Sequence, residues 1–405
     1  MTGSTPGAEP APGGALRSEG TGVLPRVAVV GVHGHGASHV RAAVRLTIAG
    51  RCQLVAVADP RPPAPDQLPT TWTHPEVAVY SDLPALLAAE AVDVVVICTP
   101  IHTHVPLAEL VLRAGADVLL EKPPTPSMAE FEQLTAVVAE TGRSCQIGFQ
   151  AHGSGAVLAL ASIVADGTLG EIRGIGATGS WVRTQSYWQR AKWAGRRMLD
   201  GVAVVDGAVT NPFAHSVAAA LLVDGSGRAN QVESVETELF HANPIEADDT
   251  STVRIRTTRG TTILAAFTLC AAETSPPRVT VYGSAGRAVL SYTTDELELT
   301  TADGTTSTQY GRDELLDNLL DHRLDGVPLL APLDSTGAFT RVLDAIRSAP
   351  VPQAIEADWV GEGDERHPVV PGVEKWIERA AEEQLLFGEL GAPWTNRQRT
   401  EPELR

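Results

Sequence analysis

RVAVVGVHGHGASH, residues 26–39, is an apolar run ending on a glycine, then a glycine-rich turn, then the start of an Ala/Val/Leu-rich stretch that closes near Gly50. The run reads as a buried strand and the stretch after the turn as a helix. A strand, a glycine-rich turn and a helix form the start of a dinucleotide site, because backbone N–H groups and a helix N-terminus then meet a pyrophosphate. The usual G-x-G-x-x-G register falls on Gly31, His33 and Gly36, so the middle glycine is missing and Gly34 lies one position later. The next apolar strand, QLVAVAD at 53–59, ends in Asp59. That is about the ~20-residue distance at which a carboxylate accepts from the adenosine ribose hydroxyls. Asp59 favours NAD, while Arg61 close behind leaves NADP open through a 2′-phosphate. A metal cluster of His33, His35 and His39 is not expected, since no carboxylate lies nearby in sequence.

Outward from this unit, strands are expected at 77–80, 93–100, 118–123 and 145–149, with a Pro-rich loop at 62–76. Helices are expected at 82–90, at 104–115 and from the Ser127/Glu130 capping box to about 141. Strands alternating with helices mean βαβ units and a parallel sheet. VLLEKP, 118–123, delivers Glu121 and Lys122 to the carboxyl end of its strand, where an open parallel sheet binds ligands. The pattern changes after a helix at about 155–166. Longer strands follow at 171–181, 234–240, 251–258, 261–270, 278–284 and 288–292, with alternation and short turns that suggest antiparallel pairing. Helices at about 312–325 and 334–348 return the chain towards the first domain, and a last helix is expected at about 372–390. The fold class is therefore α/β. A Rossmann doubly wound parallel sheet (25–150) precedes an α+β domain with an open, mainly antiparallel sheet covered on one face (151–350). A disordered tail (1–24) and a C-terminal extension (351–405) complete the chain.

A net charge of −18 argues against nucleic acid, a polyanion, as a partner. No apolar run reaches membrane-span length, and residues 1–24 lack a signal-peptide pattern. The scattered Cys52, Cys98, Cys145 and Cys270 lack metal spacing and read as reduced thiols, which fits a cytoplasmic protein.

RVAVVGVHGHGASH, VAVADP, VVVICTPIHTH and AGADVLLEKP, in that order and spacing, resemble the glucose–fructose oxidoreductase/inositol dehydrogenase (Gfo/Idh/MocA) family. The likeness runs on through CQIGFQ, DDTSTVRIRTTRGTTI and VTVYGSAGRAVL, over roughly 26–348. It implies an NAD(P)-dependent dehydrogenase or reductase of a sugar, cyclitol or sugar acid, forming a homo-oligomer through the open sheet. By that resemblance Lys122 is the lysine beside the nicotinamide, with Thr99, Pro100, His104 and Glu121 lining the cofactor site. DGAVTNPFAHS supplies the second landmark, Asn211 and His215, whose spacing of four puts them on one helix face. His215 is then the acid/base, Lys122 holds the substrate oxygen, and Asn211 orients the substrate or His215. The sequence departs from the family pattern in His33, in Asn211 where an ionisable Asp is common, and in Ala218 where an aspartate often stands.

The segment 181–197 concentrates aromatic and basic residues. Trp188, Arg190, Trp193 and Arg197 are expected to bind a polyhydroxylated small molecule, neutral or acidic, through ring stacking and guanidinium forks. A subunit contact would use the same residue types. Two other functions compete with net dehydrogenation. One is redox-assisted glycoside hydrolysis with recycled NAD, and the other is non-catalytic sensing of a nucleotide or sugar.

Overall fold

The computed structural model describes residues 23–63 and 77–395. Most of the expected N-terminal tail (1–22), the Pro-rich loop from 64 to 76 and the polar end after 395 lie outside the described residues.

The first domain comprises β1 (Arg26–Val30), α1 (Gly36–Ile48), β2 (Gln53–Ala58), β3 (Ala78–Tyr80), α2 (Leu83–Ala89), β4 (Val94–Ile97), α3 (His104–Arg113), β5 (Asp117–Leu120), α4 (Met128–Thr141) and β6 (Cys145–Ile147). Its six strands run in the order β3-β2-β1-β4-β5-β6, each adjacent pair parallel. The order reverses between β1 and β4, so the crevice at their carboxyl ends is the ligand position that this topology creates. Sequence dictates the sheet: Val94–Ile97 and Val118–Leu120 are buried on both faces, as strands between two helix layers must be. The α4 cap forms as its residues foretell, with Ser127 Oγ accepting from Glu130 N at 3.3 Å.

The second domain begins with α5 (Gly155–Ala165), β7 (Ile172–Val182), α6 (Gln185–Gln189) and a short hairpin, β8 (Met198–Leu199) with β9 (Val202–Ala203). It continues with α7 (Ala214–Asp224), β10 (Val232–His241), β11 (Thr250–Thr257), β12 (Thr262–Thr268), β13 (Cys270–Gly283), β14 (Gly286–Ser291), β15 (Glu296–Thr301) and β16 (Gly304–Gln309). After α8 (Leu315–Asp325) and α9 (Gly337–Ser348) come β17 (Gln353–Ala354), β18 (Asp358–Val360), β19 (His367–Val369), α10 (Val373–Glu383) and α11 (Phe387–Leu390). The large sheet has nine strands in the order β16-β15-β14-β13-β7-β12-β11-β10-β17. Its pairs are antiparallel except β7 with β12 and β10 with β17. The hairpin β15–β16 is absent from the sequence expectations: β16 is exposed throughout, and β15 buries only Leu297 with Leu299 partly covered.

Two expectations are corrected here. The single helix at 372–390 is two helices, broken where Gln384 adopts a left-handed backbone (φ 57°). Nor is the sheet covered on one face only. Side chains alternate along β12, and Ile263, Ala265 and Phe267 join the main core while Leu264 and Ala266 join a second cluster with Val373, Ile377, Ala380 and Phe387. The C-terminal extension thus supplies α10 and α11 as a cover for the far face. A strand apolar on both sides requires such a cover.

The domains are stitched together at β6 and α8. Ile147 N donates to Ala331 O (2.8 Å), and Gln146 Nε2 to Leu315 O (2.6 Å). Arg323 of α8 reaches Asp93 at 2.6 Å and Asp117 at 2.7 Å in the first domain. Because Phe387 is fully buried, Phe387→Ala should lower unfolding free energy by about 3–5 kcal/mol in denaturant titrations. A loss under about 1 kcal/mol would mean that the extension is not part of the core.

Candidate active site

The glycine turn is shaped by steric necessity. Gly31 has φ +81°, and a Cβ there would lie 2.2 Å from Cys98 O; one on Gly36 would lie 2.0 Å from Gly31 O. Side chains are excluded at both positions, so β1, β4 and α1 approach closely, as the first and third glycines of a dinucleotide turn require. His33 stands over the end of β2, its Nε2 3.3 Å from Arg61 O and 3.9 Å from Asp59 Oδ1. Asp59 accepts from Val32 N (3.1 Å) and Arg61 N (2.9 Å), so the carboxylate also braces the turn.

At the end of β5, Glu121 and Lys122 point in opposite directions. Glu121 is buried and faces α1: His39 Nε2 donates to Oε1 at 2.7 Å, His35 Nε2 lies 3.4 Å away, and Gln150 Nε2 donates at 3.2 Å. Burial would raise its pKa, but the hydrogen bonds from His35 and His39 prevail and hold it well below the usual carboxylate range. His35 is raised in turn by its bond to Glu121, which outweighs partial burial. Sequence reasoning found no carboxylate near the histidines. The fold supplies one, and His35, His39 and Glu121 present ligand-type atoms within 4.8 Å of one another. The same three atoms already form a hydrogen-bonded charge cluster centred on Glu121 Oε1. His33 stands apart, over Asp59.

Lys122 crosses to the second domain. Its Nζ donates to Asn211 Oδ1 at 2.7 Å and to Asn211 O at 3.0 Å. Burial lowers its pKa, against upward pulls from Glu121 and Asp206. The interdomain cleft is lined by Thr99, Pro100, Ile101, His104, Lys122, Pro123, Trp193, Val204, Val205, Asp206, Thr210 and Asn211. His104 ties two of its turns together, with ring nitrogens 2.9 Å from Thr99 O and from Pro123 O.

Asn211 is not on a helix face. It lies in a turn, with α7 starting at Ala214, because the ring of Pro212 disfavours helical backbone at the residue before it. His215 sits in the first turn of α7, edge-on to Phe149 (5.8 Å) and 6.5 Å from Tyr292. Its Nδ1 is buried without a partner, and burial, then Lys122, push its pKa down to about 3. The residues lining the cleft include Lys122 and Asn211 but not His215.

The aromatic and basic segment divides. Trp193 lines the cleft, and Trp188 packs against the main core. Arg190 lies over the rings of Tyr187 (3.7 Å) and Trp193 (4.6 Å) and pairs with Asp206 at 3.0 Å, so its charge is already met. Arg197 is corrected outright. Its guanidinium donates to the carbonyls of Ile346, Arg347, Ala349 and Pro350 at 2.8–3.4 Å, closing the C-terminus of α9 where a cation suits the helix dipole.

Sequence reasoning missed two groups, Gln150 and Asp206. Asp206 is 4% exposed and interrupts the apolar run VAVVDGAV. A lone carboxylate among apolar residues was the available signal, since a buried charge needs partners.

A family profile for the oxidoreductase family with an NAD-binding Rossmann fold matches residues 25–149. A GFO/IDH/MocA C-terminal domain profile matches residues 157–289. The uncharacterized oxidoreductase YdgJ of Escherichia coli strain K12 is 34% identical over 98 residues, 24% of this chain and 28% of that one. Inositol 2-dehydrogenase of Rhizobium meliloti is 32% identical over 120 residues, 30% of this chain and 35% of that one. The chain therefore matches about a third of these relatives' lengths, 28% and 35%. Among solved structures, the WlbA dehydrogenase from Bordetella pertussis, in complex with NADH and UDP-GlcNAcA, superposes with a TM-score of 0.65 at 22% identity, covering 80% of this chain and 95% of that one. At that identity the likeness is one of fold. No helix among the described residues is long and apolar enough to cross a membrane.

His152, 2% exposed and stacked on Phe149 at 5.6 Å, has a pKa lowered by burial to about 4. A histidine whose folded pKa lies below its unfolded value of about 6.5 takes up a proton on unfolding. Its contribution to stability is present above pH 6.5 and is lost as pH falls towards 4. His152→Leu should therefore flatten the acid limb of unfolding free energy between pH 6.5 and 4 by about 1 kcal/mol per pH unit. An unchanged slope would contradict neutral burial.

Proposed function

Given that the chain belongs to the GFO/IDH/MocA oxidoreductase family, as its profile matches over 25–149 and 157–289 establish, we propose that it is an NAD-dependent dehydrogenase or reductase of a CH–OH carbon in a sugar-like substrate. The observation that carries this reading is Lys122. The end of β5 delivers its ammonium into the interdomain cleft beside the β1/β4 switch point, where Asn211 holds it at 2.7 Å.

The residues present fit the cofactor. Gly31 and Gly36 let the turn pack tightly on β4, Gly34 has open space where a Cβ would stand, and Asp59 directly follows β2 as a carboxylate for ribose hydroxyls. A carboxylate there repels a 2′-phosphate, which favours NAD over NADP. Thr99, Pro100, His104 and Lys122 line the same cleft and would flank the nicotinamide end, with Glu121 anchored behind them. NAD, when bound, supplies the hydride acceptor or donor. Lys122 donates a hydrogen bond to the substrate oxygen and stabilises the negative charge that grows there as the C–H bond breaks. His215 stands outside the cleft lining with Nδ1 buried; neutral at physiological pH, it has Nε2 left to take the hydroxyl proton in oxidation and return it in reduction.

For the substrate we favour an uncharged cyclitol or sugar. The expectation of an acidic substrate rested on Arg190 and Arg197, and both guanidiniums are engaged within the chain. Trp193 remains as an apolar face for a sugar ring.

Screening cyclitols, free sugars, sugar acids and nucleotide sugars with NAD is the direct test, read as NADH absorbance. Turnover of none of these classes would contradict the reading. Against the best substrate, Lys122→Met should lower kcat by about 10²–10³-fold. An unaltered kcat would remove Lys122 from the mechanism. The pH profile should keep its acid limb well below pH 6, because the base stays neutral down to about 3. Its alkaline limb should fall earlier than an ordinary lysine near 10.5 would allow, because the Lys122 pKa is lowered. An acid limb near 6.5 would instead point to a solvent-exposed base.

A further inference from the structure

Lysine can only donate hydrogen bonds and an ionised aspartate can only accept them; an amide side chain does both. Asn211 stands between one of each. Its Oδ1 accepts from Lys122 Nζ at 2.7 Å, and its Nδ2 donates to Asp206 Oδ1 at 2.5 Å. The same carboxylate accepts from Gly195 N at 2.8 Å and from Arg190 at 3.0 Å. We infer that Asp206 is a positioning residue, a buried carboxylate that fixes the Asn211 amide and through it keeps the Lys122 ammonium charged and aimed into the cleft. This rests on the reading of Lys122 as the group that holds the substrate oxygen.

Three observations carry the inference. First, the chain fixes the amide's direction: turned over, Asn211 would set its NH₂ against the ammonium and its oxygen against the carboxylate. Second, an aspartate at 211 would face Asp206 at 2.5 Å, so the asparagine and the extra carboxylate form a matched pair. The missing charge at 211 is restored one hydrogen bond away. Third, the backbone presents Asp206 under constraint. Val205 beside it has φ +45°, a left-handed conformation that a β-branched residue rarely takes. It is held there by Thr210 Oγ1 on Val205 O and by Asp206 N on Arg196 O at 2.9 Å. Strain that persists is enforced by its surroundings and clusters at functional sites. The other ionisable groups around Lys122 are Glu121, Cys98, His35, His215 and Arg190, and Tyr187 also adjoins Asp206 and Arg190.

The chain has only three lysines, Lys122, Lys192 and Lys375, so selective ¹³Cε-lysine labelling resolves Lys122 by NMR, with Lys122→Met assigning its signal. Asp206→Asn should lower the Lys122 pKa by about one unit, a tenfold loss of ammonium over amine, since an opposite charge at such range shifts a pKa by about 1–3 units. It should also lower kcat by about tenfold or more, leave NAD affinity unchanged and shift the alkaline limb of the pH profile downward. The exchange Asp206→Asn/Asn211→Asp returns the charge next to the lysine. It should raise the Lys122 pKa to the wild-type value or above and recover kcat to within about tenfold. That variant also serves if Asp206→Asn alone does not fold. An unmoved Lys122 pKa in the folded single variant, or an exchange no better than the single variant, would overturn the inference. The NMR titration needs no substrate. If the wild type turns over none of the screened compounds, the dehydrogenase reading fails, while the coupling of Asp206 to Lys122 is still decided.

Discussion

At the carboxyl end of β5 two consecutive residues of opposite charge are aimed at different halves of the molecule. Glu121 turns back to His39 on α1 and His35 at its N-terminal cap, and Lys122 reaches forward to Asn211 ahead of α7. Successive side chains along extended backbone point to opposite sides, so one short stretch can serve both domains. The carboxylate ties the glycine turn and its helix to the central sheet, and the ammonium ties the sheet to the second domain. Removing Glu121 would leave the buried His39 without its acceptor, and removing Lys122 would leave Asn211 Oδ1 without its donor, each a loss of about 1–3 kcal/mol. The cleft between the domains exists where this pair divides.

The electrostatics of the cleft follow from that division. Arg190 is paired with Asp206 beside Asn211, so Lys122 is the cation that the cleft lining presents among the described residues. The neighbouring histidines are kept neutral: burial lowers His215 to about 3 and His152 to about 4. A neutral imidazole near an ammonium avoids like-charge repulsion and stays ready to accept a proton. By contrast, the histidines on α1 face Glu121, and His35 is raised. One residue type therefore has two protonation tendencies, set by burial at His215 and His152 and by the hydrogen bond to Glu121 at His35.

How much of this was legible depended on the range over which a residue's partners lie. The first domain could be read because each strand is a short apolar run and each boundary has a local cause: Gly31 at the turn, the Ser127 cap, Gly142 at the end of α4. Lys122 and Asp59 could be placed because they end strands of a parallel sheet. Asn211 was misplaced onto a helix although Pro212 follows it, a local signal that outweighs the four-residue spacing. Arg197 could not be read from sequence. Its partners are carbonyls about 150 residues away at the end of α9, and nothing in the local pattern separates a helix-capping guanidinium from a substrate-binding one. The cover of the far sheet face by α10 and α11 was half legible. TILAAFT is apolar at consecutive positions, which implies burial on both faces, but not which segment provides it.

Equilibrium titration with NADH and NADPH tests most directly whether the first domain holds NAD with its nicotinamide end at Lys122. Trp193 lines the cleft, so quenching of tryptophan emission and enhancement of nicotinamide fluorescence report on the same event. The prediction is one NADH per chain with a dissociation constant of about 1 μM to 100 μM, or roughly −8 to −5 kcal/mol, and NADPH at least about tenfold weaker because Asp59 meets the 2′ position. Failure of both nucleotides to bind a folded sample, shown to be free of retained nucleotide, would contradict it.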